Sequence, residues 1–192
     1  MVSQRHPSPV FSFEFFPPRT AEGMEKLRVT RAQLAQLKPR FFSVTFGAGG
    51  STRERTLETV VEIQQQGFEA APHISCIGST REGLAAVLEQ YQANGIRHTV
   101  ALRGDLPSGT VDAGTFRYAS ELVAFIRQTT GDHFHIEVAC YPEYHPQAAS
   151  PAADLANFKR EVDAGANSAI TQYFYNADAY FRFVDACDAA CG

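Results

Sequence analysis

Six times along its 192 residues the chain passes from a short apolar, β-rich run to a longer stretch with apolar residues at helical spacing, and no two β-rich runs are joined by a hairpin turn. The runs are residues 10–16, 41–46, 69–77, 99–102, 135–141 and 168–174. Between them, Thr20 is placed to cap a helix with the stripe Leu27, Leu34 and Leu37, and Ser51 or Thr52 one with Leu57, Val60, Val61 and Ile63, ended by Gly67. Thr80 begins a third, carrying Leu84, Val87, Leu88 and Tyr91, which Asn94-Gly95 stops; a fourth covers 116–128 and is closed by Gly131. A fifth starts at Pro151 and ends at Gly165, and a sixth covers 177–190. Strict βα alternation requires parallel strands with helices packed outside them.

Two architectures satisfy that pattern, an open doubly wound sheet and a (β/α)8 TIM barrel. Six units in 192 residues give 32 residues per unit, and a barrel of eight units in about 250 residues needs about 31. The spacing matches an α/β barrel with about six of its eight units in this chain, one catalytic domain over 1–192 that is incomplete at its C-terminal end. Two strand edges would then be open, a liability in solution, so a truncated chain is expected.

A net charge of -4 with scattered basic residues gives no reason to expect nucleic-acid or membrane partners. No apolar run approaches the roughly 20 residues that span a bilayer, and residues 1–9 lack the apolar core of a signal peptide, so a cytoplasmic protein is expected. Cys76, Cys140, Cys187 and Cys191 form no CxxC pair and read as free thiols. His133, His135 and Glu137 alternate along one strand face, but the set lacks a fourth ligand and no metal site is expected.

Polar residues gather where the strands end: Glu14, Thr45, His73, Arg103 with Asp105, Tyr141 with His145, and Gln172. In a barrel that rim is where ligands bind. Glycine between Arg103 and Asp105 lets backbone approach a ligand closely, and Pro107 stops the strand. Glu14 stands among Phe11, Phe13, Phe15 and Phe16, a setting expected to raise its pKa and keep a proton available for general acid catalysis. Asp105, beside Arg103, is expected to stay ionised. The Gly47-Ala48-Gly49-Gly50 turn lacks the GxGxxG spacing and a P-loop lysine, and reads as a tight turn.

Several motifs taken together resemble the methylenetetrahydrofolate reductase family of the bacterial, single-domain kind. They are Phe13-Glu14-Phe15-Phe16-Pro17-Pro18-Arg19, Ala71-Pro72-His73, the stretch Arg97 through Asp105 (RHTVALRGD), Tyr141-Pro142-Glu143 with His145-Pro146, and Asp163-Ala164-Gly165-Ala166-Asn167 before Ile170-Thr171-Gln172. The resemblance implies a barrel that holds FAD and uses NADH or NADPH to convert 5,10-methylenetetrahydrofolate to 5-methyltetrahydrofolate, in one-carbon metabolism and methionine biosynthesis. It implies that Glu14 is the general acid toward the folate nitrogen and Asp105 the charge that stabilises the folate cation and tunes the flavin. It places FAD contacts at His73, Arg103, Gly104, Asp105, Tyr118, Ala119, Tyr141, His145, Asp154, Asn157 and Arg160. Thr45 is the implied nicotinamide contact, Asp105 and Gln172 are implied substrate contacts, and a homo-oligomer is the implied assembly.

Two departures stand out. Glu161 occupies a place where relatives carry a lysine near the FAD phosphates, and the seventh and eighth strands are not in the chain. A barrel lyase, aldolase or isomerase acting on a phosphorylated metabolite would need a lysine at a strand end, and Lys26, Lys38 and Lys159 fall in or beside helices instead. An inactive partial barrel serving as an interaction module would expose edges at Phe13 and Tyr173 to a partner.

Overall fold

The computed structural model describes residues 10–46, 52–105 and 115–191. The expected turn at 47–50, a cap at Ser51 and the loop at 107–114 lie outside them. The elements alternate throughout: β1 (Ser12–Phe15), α1 (Ala21–Ala35), β2 (Phe41–Val44), α2 (Arg53–Gln65), β3 (Ala70–Ser75), α3 (Arg81–Ala93), β4 (His98–Leu102), α4 (Ala119–Thr130), β5 (His135–Cys140), α5 (Pro151–Asp163), β6 (Ser168–Thr171) and α6 (Ala177–Cys191). Every neighbouring pair is parallel, and the strand order is β1-β2-β3-β4-β5-β6. A doubly wound sheet reverses its order at a switch point. Consecutive order without reversal leaves six βα units of a TIM barrel, curled as a half-barrel.

Local chemistry sets the helix starts. The hydroxyls of Thr20, Thr80 and Ser150 accept from the amides of Gly23, Gly83 and Ala153 at 3.0, 3.1 and 3.1 Å, and Pro151 fills the first turn of α5. Thr52 pairs its hydroxyl with Thr56 Oγ1 at 3.2 Å and makes no side-chain cap. The fourth helix begins three residues later than the sequence pattern suggests, at Ala119. Glu121 there turns back to accept from the amides of Arg117 and Tyr118, at 2.6 and 3.3 Å. Phe116 precedes the helix, buried against Phe125 at 5.3 Å between ring centres. Leu37 lies beyond the end of α1 and is exposed rather than part of its stripe.

Pleating divides each strand between two faces. Phe42, Val44, Ala70, Ile74, Ala101, Ile136 and Val138 point outward into the main core with Val60, Ile63, Leu84, Leu88, Leu122 and Ile126 of the helices. Phe41, Ala71 and Val100, with Leu102, form a smaller cluster on the other, concave face. Two guanidinium groups that sequence pattern does not single out tie the layers together. Arg127 donates to the carbonyls of Gly131, Phe134 and Gly165 and to Asn167 Oδ1, which fastens the end of α4 to the start of β5 and the α5–β6 turn. Arg31, only 1 % exposed, donates to Glu62 Oε1 at 2.8 Å and Gln66 Oε1 at 2.6 Å, joining α1 to α2.

Arg28 and then Arg31 hold the Glu62 carboxyl down at about 2, so the ionised form is the one the fold selects. Its contribution is complete above pH 4.5 and disappears as pH falls toward 2. Glu62→Gln is expected to lower unfolding stability by about 1–3 kcal/mol, because it leaves the buried Arg31 donors under-satisfied. Urea denaturation at pH 7 and pH 3 checks this, with the difference between wild type and variant shrinking at the lower pH.

Candidate active site

Parallel pairing brings all six C-terminal strand ends to one edge of the sheet, and the best-built part of that edge follows β4. The β3–β4 ladder continues past both strands: Cys76 N donates to Leu102 O at 3.2 Å and Ile77 N to Arg103 O at 2.9 Å. Ser75 Oγ also donates to Arg103 O, at 2.9 Å. Gly104 then turns with φ +84°, and a Cβ built on it would lie 2.0 Å from Ser75 Oγ. Glycine is therefore required here by a close approach to the protein's own β3, a more specific cause than the ligand approach that the sequence suggests.

Beyond this turn opens a cavity of about 620 Å³ between the ends of β4 and β5, the start of α4 and the face of α5. Ten of the eleven positions that the family resemblance marks for FAD line it: Arg103, Gly104, Asp105, Tyr118, Ala119, Tyr141, His145, Asp154, Asn157 and Arg160. The eleventh, His73, is buried on β3 outside it. Residues that sequence reading passed over, Gln147 and Phe183 among them, complete the wall. Arg103 Nη2 donates to Gln147 Oε1 and its Nε to Gly104 O.

Asp154, on the first turn of α5, accepts from the His145 amide at 2.9 Å and so fixes the loop after β5. His145 Nδ1 accepts from Gln147 N at 3.0 Å, which leaves the ring proton on Nε2, and the ring meets Tyr141 edge-on at 4.7 Å. Burial first, then the charges of Asp105 and Asp154, push the Tyr141 phenol up, so it remains a hydrogen-bond donor. Cys140, also in the wall, is pushed up to about 12 by burial and is a thiol with little nucleophilic character. Among the described residues Cys76 and Cys140 are free thiols, as the sequence leads one to expect.

Glu161 projects into the same cavity with Oε2 buried and without a hydrogen-bond partner. Burial, reinforced by Asp154, pushes its carboxyl up to about 8, so near neutral pH it is protonated and carries no charge. The charge reversal expected from its identity is thus cancelled at neutral pH by its surroundings.

Glu14 behaves differently from the expectation placed on it. Its side chain is 52 % exposed on β1, and its pKa is lowered, not raised. The largest cause is His73, whose Nε2 lies 3.3 Å from Glu14 Oε2, an ion-pair distance at which hydrogen-bond alignment is not met. The phenylalanines do not desolvate it because Phe13 and Phe15 point to the opposite face of the strand, and Phe11 and Phe16 are exposed. Thr45 and Gln172 sit directly after β2 and β6, anchored by Thr45 N to Phe15 O at 2.9 Å and Gln172 N to Cys140 O at 2.8 Å, outside the cavity wall. His133 turns to the Ile96 carbonyl at 3.0 Å and does not join His135 and Glu137. The lysines stand apart from the rim: Lys26 pairs with Glu22 on α1 and Lys159 with Asp163 on α5, while Lys38 lies between α1 and β2.

The fold and its rim define a TIM-barrel protein with a mixed-charge cavity at the C-terminal strand ends. Solved structures agree on the fold. 2,3-Dimethylmalate lyase matches with a TM-score of 0.65 at 12% identity over 96% of this chain and 66% of its own. A Clostridium thermocellum protein that binds two copies of 5-methyl-5,6,7,8-tetrahydrofolic acid matches with a TM-score of 0.63, also at 12% identity, over 97% of this chain and 62% of its own. The sequence is far closer to another group. The family model for methylenetetrahydrofolate reductase matches residues 2–192. The 5,10-methylenetetrahydrofolate reductases of Salmonella typhimurium and Escherichia coli are each 49% identical over 180 residues, 93% of this chain and 60% of theirs. A rice protein named as a probable NADH-type methylenetetrahydrofolate reductase is 42% identical over 93% of this chain and 32% of its own. The chain belongs to the methylenetetrahydrofolate reductase family, and it spans about three fifths of the length of these bacterial relatives.

Gly104→Ala is expected to cost about 1–3 kcal/mol from the left-handed backbone alone, with the Ser75 clash added. Thermal unfolding checks this, and Ser75→Gly in the same chain should restore the part due to the clash.

Proposed function

We propose that the protein reduces 5,10-methylenetetrahydrofolate to 5-methyltetrahydrofolate, with NADH or NADPH as electron source and FAD as the bound carrier. The observation that carries this reading is the coincidence of one cavity with ten of the eleven implied flavin contacts, in a chain of this family. The rice relative's name favours NADH as the donor. The reading makes the protein a cytoplasmic enzyme of one-carbon metabolism and methionine biosynthesis.

The cavity's donor set suits a dinucleotide. Arg103 and Arg160 offer two guanidinium groups to phosphate, Tyr118 and Tyr141 offer phenols, and protonated Glu161 adds a neutral donor where an anion would repel. FAD, when bound, supplies the hydride that it has accepted from the nicotinamide. Asp105 provides a fixed negative charge at the rim that favours a cationic folate. Of Thr45 and Gln172, on either side of the mouth, the first is assigned to nicotinamide and the second to both substrates in turn.

Glu14 gives the proton. As the carboxyl protonates the bridging folate nitrogen, that nitrogen's bond to the methylene carbon breaks with the electron pair staying on nitrogen, and the carbon becomes able to accept hydride. In the open mouth Glu14 is held ionised by His73. A ligand covering it removes water, and desolvation is the influence at this site that raises its pKa. The raised pKa lets the carboxyl hold the proton that it passes to the folate nitrogen.

Three outcomes check this reading. The purified protein should bind FAD with a flavin absorbance band, be bleached by NADH without oxygen, and be reoxidised by the folate; failure to bind FAD overturns it. Glu14→Gln should retain reduction by NADH and lose folate-dependent reoxidation by about 100-fold or more, whereas equal loss of both half-reactions contradicts the acid role. FAD affinity should fall as pH rises from 7 through about 8 and beyond, as Glu161 ionises. Glu161→Gln should flatten that dependence in a fluorescence titration.

A further inference from the structure

At the N-terminal ends of the strands, opposite the cavity, four titratable side chains from three neighbouring segments converge. His98 opens β4, His135 opens β5 with Glu137 two residues on, and Glu69 immediately precedes β3. The ligand-competent atoms of His98, His135 and Glu137 all lie within 4.8 Å of one another. His98 and Glu137 are buried, with side chains 3 % and 10 % exposed.

Buried polar groups are ordinarily paired, and here two are not. His98 Nε2 lies 3.3 Å from Glu137 Oε1 without hydrogen-bond alignment, and Glu137 Oε2 has no hydrogen-bond partner either. The other ring nitrogen of His98 is taken: Nδ1 is 3.0 Å from Glu69 Oε1. A carboxylate on the far nitrogen is how metal-bound imidazoles are held in one tautomer with the near nitrogen bare. The ring is further fixed edge-on between Phe41 and His135, at 4.4 and 4.8 Å. Ser168 Oγ stands 2.7 Å from His135 Nε2 and donates to Glu137 Oε1 at 3.2 Å, a hydroxyl able to orient both ligands.

We propose that His98, His135 and Glu137 bind one zinc ion at the N-terminal ends of the strands, with Glu69 positioning His98 and water completing a tetrahedral shell. Two imidazoles and one carboxylate match zinc's preference for nitrogen and oxygen ligands. Zinc bonds of roughly 2.0–2.2 Å place ligand atoms about 3.3–3.5 Å apart, which small side-chain rotations reach from the present separations. Glu69 and Glu137 bring two negative charges and Arg40, whose charge also reaches His135, one positive charge, so the surroundings carry a net negative charge that attracts a divalent cation. Located away from Arg103 and Tyr141, the ion braces β3, β4 and β5 and takes no part in the reaction.

The test uses zinc(II) and cobalt(II) on the purified protein. After desalting, about one zinc per chain should remain, cobalt should give a four-coordinate spectrum without thiolate charge-transfer bands, and FAD binding should be unchanged. His135→Ala with Glu137→Gln should abolish retention. Glu69→Gln, which touches no metal, should lower zinc affinity about 10- to 100-fold, a readout that also serves if the double variant fails to fold. Retention by wild type no greater than by a folded double variant, unchanged zinc affinity in Glu69→Gln, or a thiolate band pointing to the cysteines overturns the proposal.

Discussion

Hydrogen bonding between consecutive parallel strands is the constraint from which the rest of this molecule follows. Register runs without a break from Ser12 against Phe41 to Cys140 against Thr171, each strand pairing with the one before it in sequence. Such a ladder forces every connection to cross over through a helix, so the start of each strand falls at one end and its finish at the other. A polar residue one or two positions past an apolar strand is thereby delivered to a shared rim, whatever its distance along the chain. Arg103, Tyr141 and Gln172 meet that description, and the ladder extended by the Ile77 amide to Arg103 O holds the first of them in place.

The pleat adds a second separation. Residues on the convex side build the large core with the helices, whereas the concave side carries a small apolar cluster between two polar ends. At the top the polar groups are the cavity's arginines, carboxyls and phenols; at the bottom they are His98, His135, Glu137 and Glu69. Environment decides what each group is. Glu62 beside two arginines is ionised, Glu161 in the cavity is protonated, and Glu14 beside His73 is ionised despite aromatic neighbours in sequence.

Features set by neighbours along the chain were legible in advance. The caps at Thr20 and Thr80, the helix start at Pro151, the buried faces at Leu84, Val87, Leu88 and Tyr91, and the strand order of a barrel all follow from spacing and turn chemistry. Strand ends came out shorter than the apolar runs, because residues such as Thr45, Tyr141 and Gln172 leave the β-strand where they turn to the rim. Glu14 was misjudged because adjacency in sequence is not adjacency in space when side chains alternate across a strand. Arg31 and Arg127 depend on partners some 30 to 40 residues away, which no local pattern announces, and the alternation of His135 and Glu137 is local but does not reveal that His98 joins them. Glu161 could be marked as anomalous from its identity, but only its burial beside Asp154 reveals that the anomaly carries no charge at neutral pH.

The two-faced sheet has an implication for how such a protein changes over generations. Side chains at the mouth contribute little to the outward layer between sheet and helices, so replacements there are largely decoupled from foldedness. Specificity can drift while the scaffold persists, and one fixed point in that otherwise permissive border is the glycine wedged against Ser75, where even one added methyl group is refused.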